Sequence, residues 1–195
     1  PLTLLGTTSA ARASAIGVIS TFTAAEAKRF LPIECHDRIE LLPCGAPEWE
    51  PPADYQPSSR GSHLLFVGNM EPRKNLVSLL KALALLSRNG INIPLKIVGP
   101  NGWHRHELDN ALDEWSGNVD VDVAGYVSEQ QLKKEYLTCR AFVFPSVYEG
   151  FGMPVLEALA MDCPVVTSAN SVMQTIAADT ATYFEAQSPE DISSK

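Results

Sequence analysis

From residue 63 onward, short apolar runs of strand length alternate steadily with segments of helical periodicity. HLLFV (63–67) is followed by NLVSLLKALALLSRNG (75–90), whose Leu76, Leu79, Leu80, Leu83 and Leu86 fall on one helix face, ending at Gly90. PLKIV (94–98) predicts a strand, HELDNALDEW a helix, and the alternating NVDVDVAGYV a partly exposed strand. SEQQLKKEYL (128–137) places Ser128 and Gln131 at the spacing of a capping box. AFVFP, CPVVTS and ATYFE then predict strands, interleaved with helices at MPVLEALAM and SVMQTIAA, before SPEDI opens a last helix. Strands separated by helices cannot pair as hairpins. They require crossovers, and hence a parallel sheet with helices on both faces: a doubly wound, Rossmann-like α/β fold. Such folds bind ligands at the carboxyl ends of their strands. VGNMEPRKN, VGPNGW, AGYVSEQ and FPSVYEGFGMP all stand at those strand-to-helix junctions.

Upstream, AIGVIS (15–20) and RIELLP predict strands around a helix at TAAEAKRFL. The Pro-, Ser- and Ala-rich CGAPEWEPPADYQPSSR (44–60) reads as a linker or surface excursion. The domain division expected is therefore 1–45, a linker at 46–60, and a doubly wound unit at 61–195. With 45 % hydrophobic and 19 % charged residues, the 195-residue chain has material for a sizeable core. A net charge of −8 argues against a nucleic-acid partner, which needs a dense basic face. Cys35, Cys44, Cys139 and Cys163 lack C-x-x-C spacing and read as reduced thiols in a cytosolic compartment. No apolar run approaches membrane-spanning length, and the opening segment is a poor signal peptide.

Two constellations carry chemistry. In VGNMEPRKN, Gly68 and Asn69 follow a strand, and Asn75 is expected to start the leucine-rich helix with Arg73 and Lys74 at its N-terminus. Two cations at the positive end of a helix dipole conflict with it, and an anion such as a diphosphate relieves the conflict. The competing reading is a pair of solvated surface cations. In PSVYEGFGMPVLE, Gly150 and Gly152 allow a tight turn and close backbone approach, and Pro154 suits a first helical turn. Glu149, at the strand exit, is placed to accept hydrogen bonds from sugar hydroxyls. Glu157, about one turn into the helix, is placed for a second hydroxyl pair such as a ribose. Turn decoration and complementation of the helix dipole are the alternatives for these two. Asp120 and Asp122 form a D-x-D, but on one face of an exposed strand; His104 and His106 fit an exposed helix start. Neither pair is expected to hold a metal.

Taken in order, LLFVGNMEPRKNLVSLLKAL, LKIVGPNGW, VAGYVSEQQLKKEY and CRAFVFPSVYEGFGMPVLEALAMDCPVVTS resemble the nucleotide-sugar-binding half of a retaining GT-B glycosyltransferase of family 4. The resemblance implies that Arg73 and Lys74 bind the donor diphosphate, with Gly68 and Asn69 at close approach. It implies that Glu149 contacts the donor sugar beside the backbone of Gly150, Phe151, Gly152 and Met153. Glu157 then holds the ribose, and Tyr126 and Val127 border the nucleobase. Arg73, Lys74 and Glu149 are the implied catalytic set, with no metal and no cofactor. The EPRKN form resembles polysaccharide mannosyltransferases, which makes GDP-mannose the expected donor. A saccharide or lipid-linked acceptor is expected to lie mainly on an N-terminal domain outside this sequence. The fragment alone is then expected to bind donor weakly and to transfer nothing. Cytoplasmic location, with membrane contact at most peripheral, follows from the same resemblance.

Four positions depart from the family pattern: Asn69 where an Arg is usual, Pro43-Cys44-Gly45 where P-N-G is usual, Asp162 where a Gly is usual, and Gln174-Thr175 where Pro-Glu is usual. They feed a rival reading, a non-catalytic nucleotide-sugar-binding or scaffold module. Retention of Arg73, Lys74, Glu149 and Glu157 argues the other way.

Overall fold

The computed structural model describes residues 2–103, 106–169 and 171–195. Its main body is a six-stranded parallel sheet built from β3 (Leu64–Val67), β4 (Leu95–Val98), β5 (Val121–Gly125), β6 (Ala141–Phe144), β7 (Val165–Ser168) and β8 (Ala181–Phe184). The spatial order is β5-β4-β3-β6-β7-β8, so strand order reverses between β3 and β6. Between these two strands only the base of the ladder is paired, Leu64 with Ala141 and Leu65 with Phe142, whereas β3–β4 pairing runs on to Val67 and Val98. The central strands therefore part toward their carboxyl ends, opening a crevice at the point of reversal.

Helices α3 (Leu76–Arg88), α4 (His106–Trp115), α5 (Glu129–Thr138), α6 (Met153–Ala160) and α7 (Ser171–Ala177) supply the crossovers, and α8 (Pro189–Ser194) follows β8 and packs against α3. On α3, Leu76, Leu79, Leu80 and Leu83 are buried, the stripe expected from their spacing. The capping box of α5 is complete: Ser128 Oγ accepts from Gln131 N, and Gln131 Oε1 accepts from Ser128 N at 3.0 Å. The core is continuous across the sheet, with Phe66, Phe142, Phe144 and Tyr136 fully buried.

Upstream stand α1 (Leu2–Arg12), β1 (Ile16–Val18), α2 (Thr21–Phe30) and β2 (Ile39–Leu41), with β1 and β2 paired in parallel as a separate two-stranded sheet. Helix α1 was not expected. LTLLGTTSAAR carries Gly6 and three threonines, residues of poor helix propensity, and no clear polar–apolar stripe. Ser20 caps α2 by accepting from Thr23 N at 3.0 Å.

Segment 44–60 has little regular structure, but it is a strap docked along α5 rather than a free tether. Trp49 lies with its ring centroid 6.3 Å from that of Tyr136, and the Tyr55 hydroxyl donates to the Leu137 carbonyl at 3.1 Å. The Arg60 guanidinium donates to the carbonyls of Tyr136 (2.7 Å), Cys139 (3.1 Å) and Asp162 (2.9 Å).

Asn75 stands at the start of α3, as its spacing implies, but its side chain makes no capping bond. It adopts a left-handed conformation (φ 58°), and α3 begins at Leu76. Its amide instead donates to the carbonyls of Pro145 (3.1 Å) and Ala186 (2.6 Å), joining the β3, β6 and β8 exits. Arg73 and Lys74 consequently sit on a separate 3-10 turn, Pro72–Lys74, ahead of the helix. Asp162 also has positive φ (51°), which gives a physical reason for the glycine usual at that position.

Candidate functional site

The loops that leave β3 and β6 are stitched together across the crevice. Val147 N donates to the Arg73 carbonyl at 2.9 Å, and Ser168 Oγ, from the end of β7, donates to the Ser146 carbonyl at 2.6 Å. Gly68 (φ 149°) turns the chain out of β3. A side chain there would meet Lys74 Cε at 3.6 Å, so the lysine lies directly under the glycine. Gly99, at the end of β4, has φ 140°, and a Cβ on it would fall 2.2 Å from the Gly68 carbonyl oxygen. The approach of the two strand exits therefore requires glycine.

Glu149 is the centre of the arrangement. It is 8 % exposed, and its two oxygens are shared among three donors. Oε1 accepts from Lys74 Nζ at 2.6 Å and from Ser146 Oγ at 2.5 Å, while Oε2 accepts from Arg73 Nη1 at 2.8 Å. Lys74 is itself buried, and its ammonium lies 4.7 Å from the centroid of the Phe144 ring. Arg73 is 40 % exposed and also pairs through Nε with Glu71 at 2.9 Å; Asn69 Nδ2 donates to the other oxygen of Glu71 at 3.2 Å. Burial acts to raise the Glu71 carboxyl, but Asn69 and Arg73 outweigh it and hold that group below the usual carboxylate range. Both cations are thus partnered, not solvated at random: two positive and two negative groups balance at the strand ends.

After Glu149 the chain turns over Gly150–Gly152. Gly152 has φ 110° and lies against Met173, where a Cβ would come within 2.6 Å of the methyl carbon. An open cleft of about 430 Å³ runs along this turn, lined by Arg73, Glu149, Gly150, Phe151, Gly152 and Met153, with Ile19 of the upstream segment also in its wall. That segment grips the turn: Ser20 Oγ and Thr23 Oγ1 both lie in donor range of the Gly150 carbonyl, at 2.6 and 3.2 Å, and Phe22 meets Tyr148 edge-on at 5.2 Å. No motif in the sequence reading pointed to Ser20, Thr23 or Phe22; the signal available was the Ser-x-x-Thr cap alone. Ser146 was also missed, because a serine after a proline reads as a turn residue.

Glu157 stands in α6 and belongs to a different environment. Its Oε2 accepts from the Tyr136 hydroxyl at 2.9 Å. Burial pushes its carboxyl above the usual range, opposed by the Tyr136 hydrogen bond and reinforced by Glu129. Tyr126 and Val127 follow β5, two strands from β3, and do not line the cleft beside Glu149. Tyr126 is 84 % exposed and Val127 half-buried. Asp120 and Asp122 are exposed, and Asp122 lies 3.7 Å from Lys96. His106 opens α4, while His104 lies outside the described residues. Among the described residues no three His, Cys, Asp or Glu side chains form a group suited to a metal. A larger cleft of about 740 Å³, walled by α3, α4 and β5, lies at the amino ends of β4 and β5 and contains Asp120 but none of the residues expected to bind the donor.

Several known proteins are similar to this chain. O-antigen chain mannosyltransferase B of Escherichia coli is 39 % identical over 115 residues, covering 58 % of this chain and 30 % of the relative. A serotype-specific mannosyltransferase, WbdA of the same organism, is 36 % identical over 129 residues, covering 66 % of this chain and 16 % of the relative. The chain thus spans a third or less of these relatives. Among solved structures, a TarM variant of S. aureus in complex with UDP, Fondaparinux and alpha-GlcNAc-glycerol superposes with a TM-score of 0.79 at 17 % identity, over 95 % of this chain and 36 % of that one. Anabaena HepE in complex with UDP and glucose superposes with a TM-score of 0.79 at 15 % identity, over 98 % and 55 %. Both likenesses confirm the doubly wound fold. The model of the family described as "Glycosyl transferases group 1" matches residues 49–195, the whole six-stranded body, and the chain belongs to that family.

Proposed function

We propose that this chain is the donor-binding part of a retaining family 4 glycosyltransferase. In this reading it moves a sugar from a nucleoside diphosphate to an acceptor hydroxyl in polysaccharide or glycolipid assembly. The observation that supports this best is the convergence of Arg73 and Lys74, from the β3 exit, on Glu149, from the β6 exit, where strand order reverses. Breaking the anomeric bond leaves negative charge on a diphosphate, and stabilising that charge is the largest electrostatic task of the reaction. Arg73 and Lys74 meet that need without a metal. Ligand-free, their charges are held in place by Glu149. With donor bound, the diphosphate takes over part of this pairing and a Glu149 oxygen becomes free for a sugar hydroxyl. The turn at Gly150–Gly152 lets backbone approach the same sugar.

GDP-mannose is the donor we favour, because two of the relatives bear mannosyltransferase names. UDP stands in two of the superposed structures, so the base is part of the test. The acceptor is assigned to a further domain of the whole protein. Among the described residues no helix is long and apolar enough to cross a membrane. We place the protein in the cytoplasm, with any membrane contact peripheral.

Calorimetric titration of the chain with GDP, UDP, ADP and their common sugar conjugates, without metal and beside Lys74→Ala and Glu157→Ala, tests the reading. Saturable binding of one nucleotide, weakened by both substitutions, supports it. Binding unaffected by Lys74→Ala overturns the assignment of the diphosphate. The rival reading, a binding or scaffold module, draws on the same balanced pairing, which leaves no uncompensated positive charge. Sugar transfer by the whole protein separates the two.

A further inference from the structure

Tyr136 has no exposed surface, yet it carries a hydroxyl into the interior. A phenylalanine fills such a site without a polar group to satisfy, so the partner of that hydroxyl is informative. Its nearest acceptor is Glu157 Oε2 at 2.9 Å, with the Pro154 carbonyl at 3.3 Å as the alternative. Both acceptors belong to α6, the helix that opens from the glycine turn. The tyrosine is fixed on three sides: Trp49 of the strap flanks its ring, Phe142 of β6 meets it edge-on at 5.5 Å, and Arg60 holds its carbonyl at 2.7 Å. The other carboxylate oxygen, Glu157 Oε1, has no hydrogen-bond partner among the described residues.

We propose that Tyr136 is the positioning residue for Glu157, locking the carboxylate so that its free oxygen faces the ribose hydroxyls of the donor, and thereby sets a preference for ribonucleotides over deoxyribonucleotides. This rests on the reading of Glu157 given above. The charged and titratable groups around Glu157 are Tyr136 and Glu129, both on α5, with Lys133 of the same helix paired to Glu129 at 2.8 Å. Burial and Glu129 favour the protonated acid, and the phenol hydrogen bond favours the carboxylate. Without that hydroxyl the acid holds its proton to higher pH. It then offers a donor instead of an acceptor and is free to rotate.

The test measures binding of GDP and UDP, each with its 2′-deoxy and 3′-deoxy forms, from pH 5.5 to 8, on the wild-type chain, Tyr136→Phe and Glu157→Gln. Tyr136→Phe is expected to lower ribonucleotide affinity about tenfold, the value of a hydrogen bond to a charged group, while leaving deoxynucleotide affinity unchanged. The remaining ribonucleotide binding is expected to fall off at a higher pH than in the wild type. A wild-type ribose preference in Tyr136→Phe, with that preference lost in Glu157→Gln, overturns the role of Tyr136 and leaves the role of Glu157 standing. A preference unchanged in Glu157→Gln overturns both, as does absence of saturable binding by the folded wild-type chain. Carboxyl NMR titration of Glu157 gives a readout without ligand: its midpoint is expected to rise in Tyr136→Phe, and an unchanged midpoint overturns the proposal.

Discussion

Glu149 and Glu157 are eight positions apart on either side of one glycine turn, and their surroundings differ in kind. Glu149 leaves β6 into a nest of three donors, two of them cationic, all within 2.8 Å. Glu157 sits on α6 with one neutral donor, the phenol of Tyr136. A carboxylate taken out of water is costly unless opposite charge and hydrogen bonds offset the loss. Glu149 has both because β3 ends beside β6 and brings Arg73 and Lys74 with it. The charge that acts on Glu157 is another acid, Glu129, and burial pushes the Glu157 carboxyl up. The same letter therefore has two physical roles. Glu149 is an electrostatic anchor for the cations; Glu157 is a carboxyl held by a single neutral hydrogen bond.

The largest expected break in this contrast comes from the cations. Lys74→Ala in the complete enzyme is expected to lower sugar transfer at least ~100-fold, from the roughly 3–4 kcal/mol that one preorganised charge contributes to such a transition state. Steady-state kinetics on folded variant check it, and a nearly normal rate counts against the assignment. Next is Glu149→Gln, which leaves Lys74 buried beside a neutral amide. Urea unfolding is expected to show a loss of about 3 kcal/mol, because removing one partner of a buried pair strands the other charge. The paired replacement Lys74→Met with Glu149→Leu is expected to recover much of that stability while abolishing transfer. If the single variant unfolds like the wild type, Glu149 is not the anchor described.

Much of this was legible in the sequence, for definable reasons. Helix and strand periodicity is a local property, so the elements from Leu64 to Ile192 could be read from spacing, and their alternation required a parallel sheet. The Gly-Phe-Gly turn and the Arg73-Lys74 pair are likewise local, which made them visible as candidates. Who partners whom is not local. Arg73 and Glu149 are separated by 76 positions, and nothing in EPRKN or YEGFG announces that they pair. Asn75 illustrates the limit. It starts α3 as its spacing implies, yet the join between the β3, β6 and β8 exits claims its side chain, which makes no capping bond to the helix. Tyr136 was equally silent, since a tyrosine on a helix face reads as core until its hydroxyl is seen against Glu157.

A smaller effect sharpens the contrast in donor number. Ser146 is fully buried, and its hydroxyl donates to Glu149 Oε1 at 2.5 Å. Ser146→Ala removes one of three donors without touching a charge. A loss of about 1.5–2 kcal/mol is expected by urea unfolding, typical of a hydrogen bond to a charged group. The cations remain in place, so nucleotide affinity is expected to change less than threefold, about 0.6 kcal/mol. A stability loss as large as that of Glu149→Gln contradicts the ranking in which the cations dominate.

The smallest effect is also the one with a definite sign. In Glu157 the folded-state carboxyl titrates above its unfolded value, so over the intervening range the native state binds more protons than the unfolded one. Stability from this group is therefore present at acid pH, below the unfolded value near 4.3, and is lost as pH rises through the folded value. Glu157→Gln removes the titration and keeps an oxygen able to accept from Tyr136. The variant is expected to match or slightly exceed wild-type stability at pH 7. That advantage is expected to vanish as pH falls below about 4.3, where the wild-type acid is protonated in both states. Urea unfolding of the two proteins at a series of pH values reads the difference directly, and the denaturation slope verifies that both unfold alike. An advantage that grows toward acid pH has the opposite sign, and would mean that Glu157, like an acid held by cations, is stabilised as the carboxylate. The contrast between the two glutamates would then disappear.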